Sequence, residues 1–322
     1  MNYDVLGIGT ALLDHFVKVN DAFLVEHGLI KGATNFLPWK RFDEIYEKLE
    51  GEIFLTLPGD NARNVCEGIA YLGDTPCYLG CVGRDREGDF LLRELKVQGI
   101  RSIVERKAGR TGRIIVAVTP DGERTFLVNL GVGVNCTRLP EREICHSKFL
   151  YLTSITLAAR GMIKRIAKEA ISVAERKGTR VALSLESPPT VARNRQTLIK
   201  LLNSVDVLFS NEDELRALGK PVQWLLQKVE LLYLKRGGKG STVFTGGKRW
   251  QIPSFSRKTV DTTGAGDFYA AGVLHGLLHG KPPEKAGEIG ARMAGKVVEH
   301  FGATIRNLTF PREKQSTYRS QR

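Results

Sequence analysis

The chain has 322 residues, 42% of them hydrophobic and 26% charged, with a net charge of +13; this suits one large α/β domain, or a main domain with a small appendage. No apolar run reaches about 18 residues, and Met1-Asn2-Tyr3-Asp4 has no basic stretch ahead of an apolar one, so neither a membrane span nor a secretory leader is expected. Lys and Arg are spread along the chain without a recognised nucleic-acid motif, which points to solvated surface and attraction for an anionic nucleotide, not to a nucleic-acid partner.

In chain order, Asp4–Ile8 reads as a first strand, followed at its end by Asp14. Residues 11–37 read as irregular or strand-like. Gly59-Asp60-Asn61-Ala62-Arg63-Asn64 carries good N-caps for a helix over Ala62–Leu72. A strand over Cys77–Val82 and a helix over Glu87–Gln98 follow. Arg113–Thr119 and Arg124–Asn129 form a hairpin around the turn Pro120-Asp121-Gly122. Next come a strand at Phe149–Thr153, an amphipathic helix at Gly161–Lys177 with Ile163, Ile166, Ala167, Ala170, Ile171 and Ala174 on one side, a strand at Arg180–Leu185 and a helix at Val191–Leu202. The strand Asp206–Ser210 runs into Asn211-Glu212-Asp213-Glu214, a capping box for a helix over Glu212–Leu218. Leu231–Lys235 ends in the glycine-rich basic turn Lys235–Gly240. The hairpin Ser241–Thr245 with Lys248–Ile252 reads as a sheet edge. Helices over Ala265–His279 and Pro283–Phe301 close the order, with a basic tail at 311–322. Alternation of this kind predicts a mostly parallel sheet covered on both faces, with ligands beyond the carboxyl ends of its strands.

The five cysteines, odd in number and without zinc spacing at Cys77 and Cys81, read as reduced core residues, and the cytoplasm is the expected location. His15, His27, His146, His275, His279 and His300 form no metal or triad pattern and read as ordinary surface or core residues.

The most informative stretch is Asp261-Thr262-Thr263-Gly264-Ala265-Gly266-Asp267. Glycines at a helix start leave N–H groups bare, and with the positive end of the helix they suit an anion such as phosphate. A carboxylate beside that anion is badly placed to bind it but well placed to take a proton from an attacking hydroxyl. The residues therefore predict a kinase acting on an alcohol, with Asp267 as base and, in the turn Gly264-Ala265-Gly266, an anion hole made by the N–H groups of Ala265, Gly266 and Asp267. Asp14, near a strand end, can accept two hydrogen bonds from vicinal hydroxyls or be a plain surface turn.

This run resembles the D-T-x-G-A-G-D signature of the ribokinase-like (PfkB) sugar and nucleoside kinases. The resemblance extends from Gly7 to Ala303 and is nearest to the adenosine-kinase-like branch, through Ala11-Leu12-Leu13-Asp14, Gly28-Leu29-Ile30-Lys31-Gly32 and Val205–Glu212. It implies a three-layer α/β/α core at 1–10, 38–110 and 131–310, with a small β-sheet lid at 11–37 and 111–130. It implies transfer of a phosphoryl group from ATP to a hydroxyl, most simply a primary one, of a sugar or nucleoside. A non-catalytic sensor on the same scaffold is the competing class; adenosine or nucleoside kinase, ribokinase and fructokinase stay open within the kinase reading, as does a homodimer.

By the same resemblance Asp14, Gly59, Asn64 and Glu186 bind the acceptor. Asp60 stands where the family has a second glycine, and Glu186-Ser187-Pro188-Pro189 stands where adenosine kinases carry an aromatic, favouring a more polar acceptor. Asn211 and Glu214 arrange Mg²⁺ through water beside their capping role. Lys235, Gly237, Gly240 and Gly302 bind the nucleotide, with Lys235 where Thr is commoner. Asp261, Thr263 and the Gly302-Ala303 turn hold a monovalent cation such as K⁺ through backbone oxygens. Arg113, at the start of the lid hairpin, either reaches a phosphate or is solvated.

Overall fold

The computed structural model describes residues 2–256 and 258–305; the basic tail at 311–322 lies outside them. The larger sheet runs in the order Lys248–Ile252, Ser241–Thr245, Leu231–Lys235, Val207–Asn211, Arg180–Ser184, Ser147–Thr153, Tyr3–Ile8, Pro76–Leu79 and Arg101–Ser102. All its pairs are parallel except at one edge, where the hairpin 241–252 adds two antiparallel strands.

The strands are apolar on both sides because both faces are covered. Leu6, Ile8, Leu150, Leu183 and Leu208 pack under Ile163, Ile166 and Ala170 of the helix Met162–Lys177. Val5, Tyr151, Phe209 and Tyr233 pack on the opposite face under Val65 and Ile69 of the helix Asn61–Tyr71 and Ala270, Val273 and Leu274 of the helix Ala265–Leu278. The three-layer architecture with a mostly parallel sheet is the one expected.

A second sheet runs Thr34–Phe36, Arg124–Gly131, Thr111–Val118, Leu12–Lys18, Ile53–Gly59. It draws on more of the chain than 11–37 and 111–130, because Ile53–Gly59 pairs antiparallel with Leu12–Lys18. One face is covered by Phe42, Ile45 and Leu49 of the helix Trp39–Leu49, packed on Val17, Ile115 and Leu127. The opposite face carries Phe16, Leu57 and Val116, with Ile114 and Phe126 half-buried beside them.

Local departures from the expected elements have physical causes. The run expected as one strand over Cys77–Val82 breaks: Pro76–Leu79 stays in the main sheet, while Cys81–Gly83 leaves it to pair with Glu105–Lys107. The stretch 11–37 contains a short helix, Asp21–Glu26, capped by the Asn20 side chain on the Phe23 N–H. The last helix ends at Val297, four residues short of Phe301. Among the described residues no helix is long and apolar enough to cross a membrane.

Candidate active site

The carboxyl ends of Arg180–Ser184, Val207–Asn211 and Leu231–Lys235 meet the start of the helix Ala265–Leu278 around a cavity of about 400 Å³. Gly264 makes this helix start possible. It is the N-cap at φ 76°, and a Cβ there would lie 2.5 Å from the Cβ of Ala303. The Ala265 N–H turns back to the Thr262 carbonyl at 3.2 Å. The N–H groups of Gly266 and Asp267 have no protein acceptor among the described residues, so two amides and not three are left for an anion. Gly264, Ala265, Gly266, Asp267, Glu186, Asn211, Glu214, Lys235, Gly237 and Gly240 all line the cavity.

Asp267 is 2% exposed. Its carboxylate accepts from the Asn64 side-chain amide at 2.7 Å and from that of Asn61 at 3.1 Å. Three residues apart, these two amides share one side of the helix Asn61–Tyr71. Burial and the Glu186 carboxylate push the Asp267 pKa well above the ordinary carboxylate range, against the opposing pull of Asn64, Asn61 and Lys235. Asn64 was expected on the acceptor. Here its amide is taken up by Asp267 and its carbonyl oxygen accepts from the fully buried Arg63, which is itself paired with Glu67. In the sequence Asn61 reads only as a helix cap, and its contact with Asp267 is not foreseen there.

Glu186 was also expected on the acceptor. Its carboxylate accepts from the Ser184 hydroxyl at 2.6 Å and lies 3.6 Å from the Lys235 ammonium. The capping box forms in full: the Glu214 carboxylate accepts from the Asn211 N–H and side-chain amide, and the Asn211 side-chain oxygen accepts from the Glu214 N–H, each at 2.8 Å. Burial raises the Glu214 pKa, with Lys235 opposing and Glu186 adding. Burial lowers that of Lys235, but the carboxyls of Glu186, Glu214 and Asp267 outweigh it, so Lys235 is held charged. Its Nζ lies 3.0 Å from where a Cβ of residue 266 would stand, over the anion cradle. Three carboxyl groups around one ammonium leave a shortage of positive charge at the cavity. A divalent ion that keeps its water shell fits that donor set.

Asp14 stands on the strand Leu12–Lys18, beside Ile114 of the neighbouring strand. Its carboxylate oxygens lie 2.8 Å from the position a Cβ at Gly59 would take. Among the described residues no donor reaches it. Burial raises its pKa to about 7, opposed by Arg63 and reinforced by Asp60 and Asp261. Asp60, standing where the family has a second glycine, keeps a glycine-like backbone. It adopts φ 92°, an arrangement usually left to glycine, and its side chain compensates by accepting from the Thr10 N–H, the Arg63 N–H and the Tyr78 hydroxyl.

The Asp261 carboxylate is buried. It accepts from the Thr263 N–H at 2.6 Å and the Gly302 N–H at 2.9 Å, and pairs with the Arg124 guanidinium at 2.7 Å. The charge of the Asp261 carboxylate is thus compensated by a residue of the second sheet. Arg113 lies elsewhere, paired with Glu87 and over the Tyr46 ring. Arg124, which sequence reasoning passed over, is the arginine that reaches the signature loop.

Residues 38–309 match the profile of the pfkB family carbohydrate kinases. An uncharacterized sugar kinase of Archaeoglobus fulgidus is 31% identical over 73% of this chain and 96% of its own length. Adenosine kinase 1 of Arabidopsis thaliana is 26% identical over 93% of this chain and 95% of its own. The crystal structure of adenosine kinase from Sinorhizobium meliloti superposes with a TM-score of 0.86 at 30% identity, covering 96% of this chain and 97% of the other. With its signature loop at the mouth of the cavity, the chain belongs to the pfkB family of carbohydrate kinases, in the adenosine-kinase-like branch, and is a phosphotransferase with an alcohol group as acceptor.

Proposed function

We propose that the protein transfers the γ-phosphoryl group of ATP to a primary hydroxyl of a sugar or nucleoside, with Asp267 as the general base. The observation that carries this is the Asp267 carboxyl, buried in the first turn of a helix that opens on Gly264 and held by Asn61 and Asn64. As the acceptor oxygen attacks the γ-phosphorus, its proton passes to Asp267 while the bond to the bridging oxygen breaks and ADP leaves. The free N–H groups of Gly266 and Asp267, with the Lys235 ammonium above them, face the group in transfer, where fixed donors act without reorganising. Gly237 and Gly240 let the backbone pass close to the nucleotide. Asn61 and Asn64 keep the carboxylate aimed and favour its charged form.

Asn211 and Glu214 would hold Mg²⁺ through water, and that ion would neutralise phosphate charge.

Asp14 takes acceptor hydroxyls. The sheet face that presents it also presents the half-buried Ile114 and Phe126, backed by the buried Phe16 and Val116. Vicinal hydroxyls next to an apolar wall suit a nucleoside better than a free sugar. The relatives that are adenosine kinases support the same choice. Glu186, turned to Lys235, leaves that wall unaltered.

The test is ADP release from ATP and Mg²⁺ across a panel of nucleosides and sugars, with wild type and Asp267→Asn side by side. At least one acceptor should turn over, and the variant should lose roughly 10²–10⁴-fold in kcat while ATP binding stays within a few-fold. Turnover in the variant within about threefold of wild type would remove Asp267 as base.

A further inference from the structure

The helix Ala265–Leu278 carries Asp267 in its first turn and a different chemistry at its other end. His275 and His279, four residues apart, stand on one side of the chain as it leaves this helix, with ring centroids 4.5 Å apart. Asp74 reaches both rings. Its Oδ2 lies 2.7 Å from His275 Nδ1 and its Oδ1 2.8 Å from His279 Nε2.

The fold places these groups without help from a ligand. After the helix Asn61–Tyr71 the chain reverses through Gly73, and the Asp74 N–H bonds back to the Ile69 carbonyl at 3.1 Å. The two helices approach closely at Gly68, where a Cβ would lie 2.5 Å from that of Ala271. That contact sets the distance across which Asp74 meets the histidines. The Asp74 side chain is only 7% exposed, whereas that of His279 is 53% exposed, so the cluster is anchored on one side and open on the other.

The six histidines show no metal pattern in the sequence because the third member lies 201 positions from His275. Among the described residues this is the one group of three His, Cys, Asp or Glu side chains whose ligand atoms all lie within 4.8 Å of one another.

We propose that Asp74, His275 and His279 form a binding site for a first-row transition ion of the zinc type, distinct from the catalytic centre. Two imidazoles and one carboxylate select Zn²⁺, Cu²⁺ or Ni²⁺ over the hard Mg²⁺ that accompanies ATP. A pair of histidines at i and i+4 on a helical face is a recurrent way of holding such an ion. The opening at His279 leaves a path for entry and room for water as a further ligand. His275 lies eight residues from Asp267 along one helix, on the order of 12 Å, so the ion would tie the far end of the catalytic helix to the end of the helix Asn61–Tyr71. Its effect is on the stability of that helix pair and not on the chemical step.

The experiment is calorimetric titration of the chelator-treated full chain with ZnCl₂, with melting followed in the same samples. Wild type should take up one strongly held ion per chain and melt at a higher temperature with zinc. His275→Ala and His279→Ala should each weaken that binding at least roughly tenfold and lose the zinc-dependent rise in melting temperature. His279→Ala, altered at an exposed position, should keep wild-type turnover without zinc, which shows that it folds. With Cu²⁺ as a second probe, the electron paramagnetic spectrum should show nitrogen coupling that His279→Ala reduces. Absence of stoichiometric zinc uptake by wild type, or uptake unchanged in both histidine variants, would overturn the site and leave the contacts as plain hydrogen bonds.

Discussion

The Arg124 guanidinium lies 2.7 Å from the Asp261 carboxylate, pinning the second sheet to the loop that opens the helix carrying Asp267. The Asp261 side chain is fully buried, so its charge depends on this partner and on the N–H groups of Thr263 and Gly302. Removing one member of a buried pair strands the other. Arg124→Ala should therefore lower both the melting temperature and kcat/KM for ATP, and Arg124→Lys should recover part of each. In a double-mutant cycle with Asp261→Asn the two changes should couple by about 1 kcal/mol or more; strict additivity would mean that the pair carries nothing.

The Asp267 pKa is raised, so kcat/KM should climb with pH until its carboxyl is ionised, and the acid limb should lie above the range of an ordinary aspartate. The neighbours set the direction of change. Asn64→Ala removes a donor that favours the charged form and should move the limb to higher pH. Glu186→Gln removes a like charge and should move it lower. A pH–rate profile that shifts the same way in both variants would contradict the assignment.

Lys235 is the charged group above the free amides of Gly266 and Asp267. Lys235→Met should raise KM for ATP by roughly tenfold or more, the scale of a lost hydrogen bond to a charged group. It should also destabilise the protein, because Glu186, Glu214 and Asp267 lose their common counter-charge. Unaltered nucleotide affinity measured by direct binding would show that Lys235 serves only the protein's own carboxylates.

The sheet and the signature loop were legible because their signals are local. Apolar strands alternate with amphipathic helices, and Gly264 to Asp267 lie within four consecutive positions. The capping box at Asn211 and Glu214 was readable for the same reason. What escaped depends on residues distant in sequence. The partnership of Asn61 and Asn64 with Asp267 joins two helices more than two hundred positions apart. The entry of Ile53–Gly59 into the second sheet is a tertiary choice between two sheets, and strand propensity cannot make it. Arg113 and Arg124 look alike as sequence. Only pairing register and the course of the hairpin turn one toward Glu87 and the other toward Asp261.

Asp14 has a pKa near 7 and no donor among the described residues, so the folded protein holds a carboxyl that binds a proton more tightly than the unfolded chain does. The sign follows from linkage: with the folded pKa raised above the 3.8 of an unperturbed aspartate, stability falls as pH rises between about 4 and about 7, and the deficit is complete above that. Asp14→Asn should therefore melt higher than wild type at pH 8 and near it at pH 4. Acceptor hydroxyls donating to the carboxylate favour its charged form. Binding of the correct acceptor near pH 7 should then release protons, seen as a binding enthalpy that varies with the ionisation heat of the buffer. Asp14→Asn should bind that acceptor more weakly and without the buffer dependence. Equal buffer dependence in wild type and variant would place the acceptor hydroxyls elsewhere.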